Sequence, residues 1–324
     1  MSDPGSVSGG TGLEAAAAAG VDQASHVDDS SQKQRKPRSL WSDAWGELRR
    51  KPTFIISLVI IAIVVVMAIW PSLFTSVDPR HSNLDKSLAK PSGDAWFGYD
   101  LQGYDVYARA MYGARASLLV GIFSTILTVL IGSFVGIIAG YAKTWIDSVL
   151  SRFADIFAGI PFVLGAIVIL TTLNAPNENP GAVRIVTQVV LSIAALSWPV
   201  VMRIMRSATL VAKQQDYVKA ARGLGASPLR IIFRHLLPNT IAPVLVYGTI
   251  ALGAFIGAEA TLAFLGIGLR PPVVSWGVMI SESRDYFQGA PHTLLFPAAF
   301  VTVTVLAFVM LGDAVRDALD PKSR

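Results

Sequence analysis

Few side chains stand where they could do chemistry. Glu259 lies deepest in a long apolar run, among Phe255, Leu262 and Phe264, and Asp155 lies near the start of another. A carboxylate inside an apolar segment costs several kcal/mol unless something compensates it, so each calls for a partner. Glu259 reads either as a contact in a solute path or as a hydrogen bond or ion pair to a neighbouring helix. For Asp155 the second reading is favoured, because Arg152, Arg203 and Arg206 fall at a similar depth. The histidines, His26, His81, His235 and His292, are scattered through four segments and make no metal-binding spacing. There is no cysteine, hence no disulfide, thiolate metal site or cysteine nucleophile. A phosphate-cradling G-x-x-x-x-G-K-[ST] loop, an H-E-x-x-H pair and a nucleophile elbow are all missing, so this chain does not bind ATP phosphates through such a loop. An enzyme reading rests on Glu259 or Asp155 as an intramembrane acid or base and on nothing else.

The other informative stretch is Asp216 to Asn239, DYVKAARGLGASPLRIIFRHLLPN. Asp216 to Arg222 favours helix. Gly223 and Gly225 break it, because glycine takes left-handed backbone geometry at low cost. Ser227 reads as an N-cap and Pro228 as a first helical residue. Leu229, Ile232, Phe233 and Leu236 then follow at helical spacing beside Arg230 and Arg234, and Pro238 is expected to end the helix. Two short helices, basic and partly apolar, form a shape that docks on a partner. The plainer reading is an ordinary basic loop between membrane spans.

These residues must be positioned by a membrane bundle. The mean hydropathy is +0.52, with 52% hydrophobic and 15% charged residues, which is too apolar for an ordinary soluble domain. The net charge of +5 sits beside apolar segments and forms no separate basic domain, so nucleic acid is not an expected partner. Six spans are predicted: Phe54–Trp70, Ser117–Tyr141, Phe153–Leu173, Val183–Met205, Asn239–Gly268 and Thr293–Gly312. The fold class is an all-α membrane protein of six transmembrane helices. Gly132, Gly136 and Gly140 recur every fourth residue, a spacing that lets a second helix backbone approach. Residues 1–39 lack the apolar content to build a core and are expected to be disordered. Residues 40–52 carry Leu40, Trp41, Trp45 and Leu48 on one face and read as a helix on the membrane surface, or as an extension of the first span. Residues 53–116 hold the first span and a polar lobe, 117–312 the bundle core, and 313–324 a short polar tail. Lys and Arg number 19 on the side of the termini and the 216–239 loop, against 8 on the other. That bias places the termini and the loop of this multi-pass membrane protein in the cytoplasm, and the lobe outside.

The 216–239 stretch resembles the "EAA" loop of ABC-importer permeases, whose pattern is E-A-A, three residues, Gly, nine residues, then I-x-L-P. Ala220, Ala221, Gly225, Leu237 and Pro238 match in register, while Lys219 replaces the Glu and His235 the Ile. The Lys reverses the charge at that position. Other stretches are similar to the second, C-type permease subunit of dipeptide, oligopeptide and nickel importers. They are Phe97-Gly98-Tyr99-Asp100 with Gly103, Asp105, Arg109, Tyr112-Gly113, Arg115 and Ser117-Leu118; Glu259 with Leu262, Phe264-Leu265-Gly266, Gly268, Pro271-Pro272 and Ser275-Trp276-Gly277; and Leu311-Gly312-Asp313, Arg316-Asp317 and Leu319-Asp320-Pro321. Tyr104, Ala108 and Val309 depart from that pattern, where the family has Arg, Ser and Asn.

The resemblance covers about Ser39 to Pro321. It implies the type I importer-permease fold and a non-catalytic transport subunit. It also implies a heterodimer with a homologous permease, two cytoplasmic ATPase domains that hold ATP and Mg, and an extracytoplasmic peptide-binding protein. No cofactor belongs to this chain itself. Lys219 to Leu237, with Ser227 capping the second helix, would form the coupling element seated on an ATPase. Di- or oligopeptides are the implied cargo, with nickel or another small solute as the alternative. A scaffold role is the remaining reading from a different class.

Overall fold

The computed structural model describes residues 46, 48–173 and 180–319. The 1–39 tail, most of the 40–52 helix and residues 320–324 lie outside the described residues. Among the described residues the chain is helical, with two isolated antiparallel bridges, Ser82 with Tyr104 and Tyr99 with Asp105. Five helices are long and apolar enough to cross a membrane, and a bent pair makes a sixth crossing if counted as one span.

Helix α1, Pro52–Ile69, opens on a proline, whose missing N–H is no loss at a first helical position, and contains no charge. Helix α2, Val106–Tyr141, begins eleven residues before the predicted second span. The Asp105 carboxylate accepts the Ala108 N–H at 2.9 Å and caps it there. With 36 residues, α2 is about 54 Å long, against a hydrocarbon core of about 30 Å, so its first turns stand clear of the bilayer among the lobe residues. The charges of Arg109 and Arg115 belong to those turns. Arg115 donates to the Ala68 and Ile69 carbonyls at 2.9 and 3.1 Å, capping the end of α1 with a cation.

The predicted third span is not one straight helix. Helices α3, Thr144–Ala158, and α4, Phe162–Leu173, meet at 87° across Gly159, Ile160 and Pro161. Proline supplies no N–H to the helix before it and disfavours helical geometry at residue 160, so the chain turns there. Helix α5, Ala182–Ala212, lies along α2. A methyl group at Gly136 would sit 2.5 Å from the Met202 carbonyl, and one at Gly140 would sit 2.7 Å from Thr209 Cβ. The Gly132–Gly136–Gly140 row is therefore the seam where α2 and α5 meet backbone to backbone.

Helix α6, Asp216–Gly223, and helix α7, Pro228–Ile231, lead into α8, Leu237–Phe264. A short helix α9, Trp276–Ser283, and a long α10, His292–Leu319, complete the chain. Helix α10 runs seven residues past Gly312, so the predicted tail from Asp313 is helical as far as Leu319. The bundle has two ends, which follow from its contacts. Lys213 Nζ donates to the Gly140 carbonyl at 2.6 Å, and Lys51 pairs with Asp317 at 3.6 Å, at the end that bears the 216–239 loop. At the other end, Phe97 of the lobe stacks on Phe296 with ring centres 3.8 Å apart.

Candidate functional site

The loop from Asp216 to Asn239 is built as a closed turn between two helices. The N–H of Gly225 bonds the Arg222 carbonyl at 3.0 Å, and the N–H of Ala226 bonds the Ala221 carbonyl at 3.0 Å. This pair of bonds is the Schellman arrangement, which requires left-handed geometry at its central residue. Gly225 has φ +79°, with open space where a Cβ would stand, so backbone conformation alone selects glycine. Ser227 caps the next helix, its hydroxyl accepting the Arg230 N–H at 3.4 Å.

Pro238 does not end that helix. Residues Ile232–Leu236 form one π-helical turn that runs directly into α8, and the Leu237 N–H bonds the Ile232 carbonyl. Widening the helix by one residue accommodates a proline that donates no N–H. The Asn239 amide and the Thr240 hydroxyl donate to the carbonyls of His235 and Leu236 at 2.7 and 3.0 Å. The second short helix and the fifth span are thus one nearly continuous rod, Pro228–Phe264.

The loop has two faces. Val218, Ile231 and Leu236 are buried against Ile137 of α2, Val201 and Met205 of α5 and Val244 of α8, and Ala221 is buried as well. The opposite face exposes Leu224 at 89%, Leu229 at 67% and Phe233 at 63%, beside exposed Arg222, Arg230 and Arg234. Lys219 and Ala220 are exposed too, Leu237 is half-buried, and Pro238 is exposed. Lys219 Nζ donates to Asp216 at 3.1 Å, a solvent-facing pair worth under about 1 kcal/mol.

Glu259 is wholly buried at 0% exposure. Its Oε2 accepts from the Ser117 hydroxyl at 3.1 Å and its Oε1 from the Ser275 hydroxyl at 2.9 Å. Each serine oxygen also accepts a backbone N–H, from Trp276 at 3.3 Å and from Val278 at 3.1 Å, which leaves each hydroxyl proton for the carboxylate. The carboxylate therefore joins α2, α8 and the start of α9. Enclosed on all sides, it has no access for the substrate that an acid or base would need. Asp155 is exposed and bonds Arg203 at 2.9 Å, one of the partners its depth suggested. The stronger tie between α3 and α5 is Asp147 with Arg206, two parallel hydrogen bonds that sequence reading passed over.

A second buried ion cluster was also missed. Arg109 of α2 bonds Asp100 of the lobe, lies 2.9 Å from Glu282 of α9 and sits over the Tyr104 ring at 4.9 Å. Asp100 and Arg109 both stand in a stretch that carries the family resemblance, but neither their pairing nor the part of Glu282 could be read from it. Among the described residues, no cluster of His, Asp or Glu has the makings of a metal site.

The bundle also holds a cavity of about 1100 Å³, open at the lobe end. Its walls are α2 from Tyr112 to Leu130, α5 from Ala182 to Leu191, and the segment Pro272–Val274; Asp78 and Arg80 stand at its mouth. The walls are mostly aliphatic and aromatic. Glu259 is not among the lining residues, although Ala116 beside its partner Ser117 is.

Residues 132–324 match the family of binding-protein-dependent transport system inner membrane components, and residues 39–91 match the N-terminal transmembrane domain of oligopeptide transport permease C. The chain is 38% identical over 286 residues to the dipeptide transport system permease protein DppC of Alkalihalophilus pseudofirmus, covering 88% of this chain and 91% of that one. It is 34% identical to the glutathione transport system permease protein GsiD of Pectobacterium atrosepticum, covering 88% and 92%. In fold it is similar to the MetNI methionine ABC transporter in inward-facing conformations, with a TM-score of 0.53 and 19% identity over 65% of this chain and 96% of that one.

Proposed function

The chain belongs to the inner-membrane components of binding-protein-dependent transport systems, and from that premise we propose that it is one of two homologous permease subunits of an ATP-driven importer of di- or oligopeptides. ATP and Mg are held by two ATPase domains on partner chains, and a peptide-binding protein delivers cargo on the lobe side. The cavity walled by α2, α5 and Pro272–Val274 is this chain's share of the path. Its mostly apolar lining suits cargo that varies in side chain, because no strong polar contact holds one solute in place.

The observation that carries this reading is the two-faced loop. One face anchors to the bundle through Val218, Ile231 and Leu236, and the other presents Leu224, Leu229 and Phe233 to a partner. Lys219, Ala220, Ala221, Gly225, Ser227, Leu237 and Pro238 form and join the two short helices. An ATPase that closes on ATP pushes this element, and the rod Pro228–Phe264 carries the displacement into the membrane. The 216–239 loop and both termini face the cytoplasm on this reading, in line with the Lys and Arg bias. Lys219, Arg222, Arg230 and Arg234 on the exposed face fit an ATPase groove with acidic side chains at its rim.

The test is uptake in proteoliposomes containing this chain, its partner permease and the ATPases, with ATP on the loop side and binding protein with labelled peptide on the lobe side. Accumulation that needs ATP and all components is the expected result. Accumulation of peptide without the ATPases, or failure of every peptide length tried while another solute enters, would overturn the proposal in whole or as to cargo.

A further inference from the structure

Helix α9 is held at both ends and in the middle. At its start, Ser275 bonds Glu259, and the Trp276 indole donates to the Ala110 carbonyl at 2.8 Å. In the middle, Gly277 lies against α8 so closely that a methyl group there would come 2.7 Å from Ala260 Cα. At its far end, Glu282 meets Arg109, which also binds Asp100 of the lobe. The residues just before α9, Pro272 to Val274, are one wall of the cavity. The only polar grip of α8 on this element among the described residues is the Glu259 carboxylate, since the Gly277 contact is van der Waals alone.

Resting on the permease reading above, we propose that Glu259 is a positioning residue for transport: it is the point at which α8 grips the cavity wall, so that movement entering α8 at the 216–239 loop shifts Pro272–Val274. Glu259 stands 22 residues beyond Leu237, about 33 Å along the same helix. A displacement of the loop arrives at the wall through that helix and its carboxylate. Helix α2 holds both ends of α9, through Ala110 and Ser117 at Trp276 and through Arg109 at Glu282, so a shift of α8 reaches the wall against a fixed α2. The carboxylate acts by geometry and not by charge transfer. Gln at 259 keeps the junction, because its carbonyl accepts from one serine and its amide donates to the other. Asp is one methylene shorter and does not span both hydroxyls.

The experiment measures ATP hydrolysed per solute accumulated in the full reconstituted importer. Wild type, Glu259→Gln, Glu259→Asp and Glu259→Leu are compared at equal amounts of assembled complex. A ratio near wild type is expected for Gln, with a several-fold rise for Asp and Leu while hydrolysis continues. A merely structural role lowers uptake and hydrolysis together and leaves the ratio unchanged, and that outcome overturns the proposal. A Gln variant as uncoupled as Leu also overturns it, because a charge or proton would then be what matters. If Leu does not accumulate, the Asp and Gln pair decides the same question. Absence of ATP-driven uptake in the wild-type complex would count against the permease reading itself and is distinct from each of these results.

Discussion

The N–H of Ala226 bonds the carbonyl of Ala221 at 3.0 Å, across a turn whose centre, Gly225, sits at φ +79°. That bond sets the angle between α6 and α7, and so the shape of the surface offered to a partner. Because nothing crowds Gly225, its substitutions report on backbone geometry alone.

Gly225→Ala should cost roughly 1–2 kcal/mol locally, the penalty for a side chain in left-handed geometry, and leave the complex assembled with reduced uptake. Gly225→Pro fixes φ near −65° and removes the N–H that bonds Arg222. It should abolish ATP-driven uptake. Assembly by gel filtration and uptake in proteoliposomes check both, and normal uptake with the proline would contradict a coupling turn at this position.

Arg109 is buried between two carboxylates. Arg109→Met should destabilise the solubilised protein by about 3–5 kcal/mol, since removing one partner leaves buried charge uncompensated. Thermal unfolding in detergent measures this. The triple change with Asp100→Asn and Glu282→Gln should recover a large part of the loss. No recovery would mean that Arg109 acts through packing of its stem instead.

Gly136→Leu should prevent proper folding, because the Met202 carbonyl occupies the space a side chain would enter. Gly223→Leu, at an exposed site with no atom near a new Cβ, is the matched control. Yield of monodisperse protein separates the two, and equal yields would contradict the close α2–α5 seam.

The bundle was legible in the sequence wherever apolar length alone decides, and the glycine row marked a close helix approach, though not that α5 is the helix that makes it. The turn at Gly225 and the Ser227 cap were legible because they are local chemistry. Three features were not. Helix α2 starts at Val106, ahead of the apolar run, because Asp100 nine residues before and the distant Glu282 compensate Arg109. Pro238 is carried inside a helix because the π turn at Ile232–Leu236 spares the missing bond, whereas local rules read a proline as a stop. The neighbours of Glu259 are Ser117, 142 residues earlier, and Ser275, 16 residues later. No periodicity links positions that far apart, so its structural reading was open until the fold brought them together.

The most direct measurement of the central claim is ATPase retention on the exposed face of the loop. The tagged chain is solubilised mildly from its own membranes, as wild type and with Leu224→Asp, Leu229→Asp and Phe233→Asp combined. These residues support no part of the bundle, so the altered chain should remain monodisperse and paired with its homologous permease. The account predicts that an ATP-hydrolysing subunit accompanies the wild-type chain and is lost from the altered one. An ATPase retained equally by both, with uptake intact, would show that this face is not the docking surface.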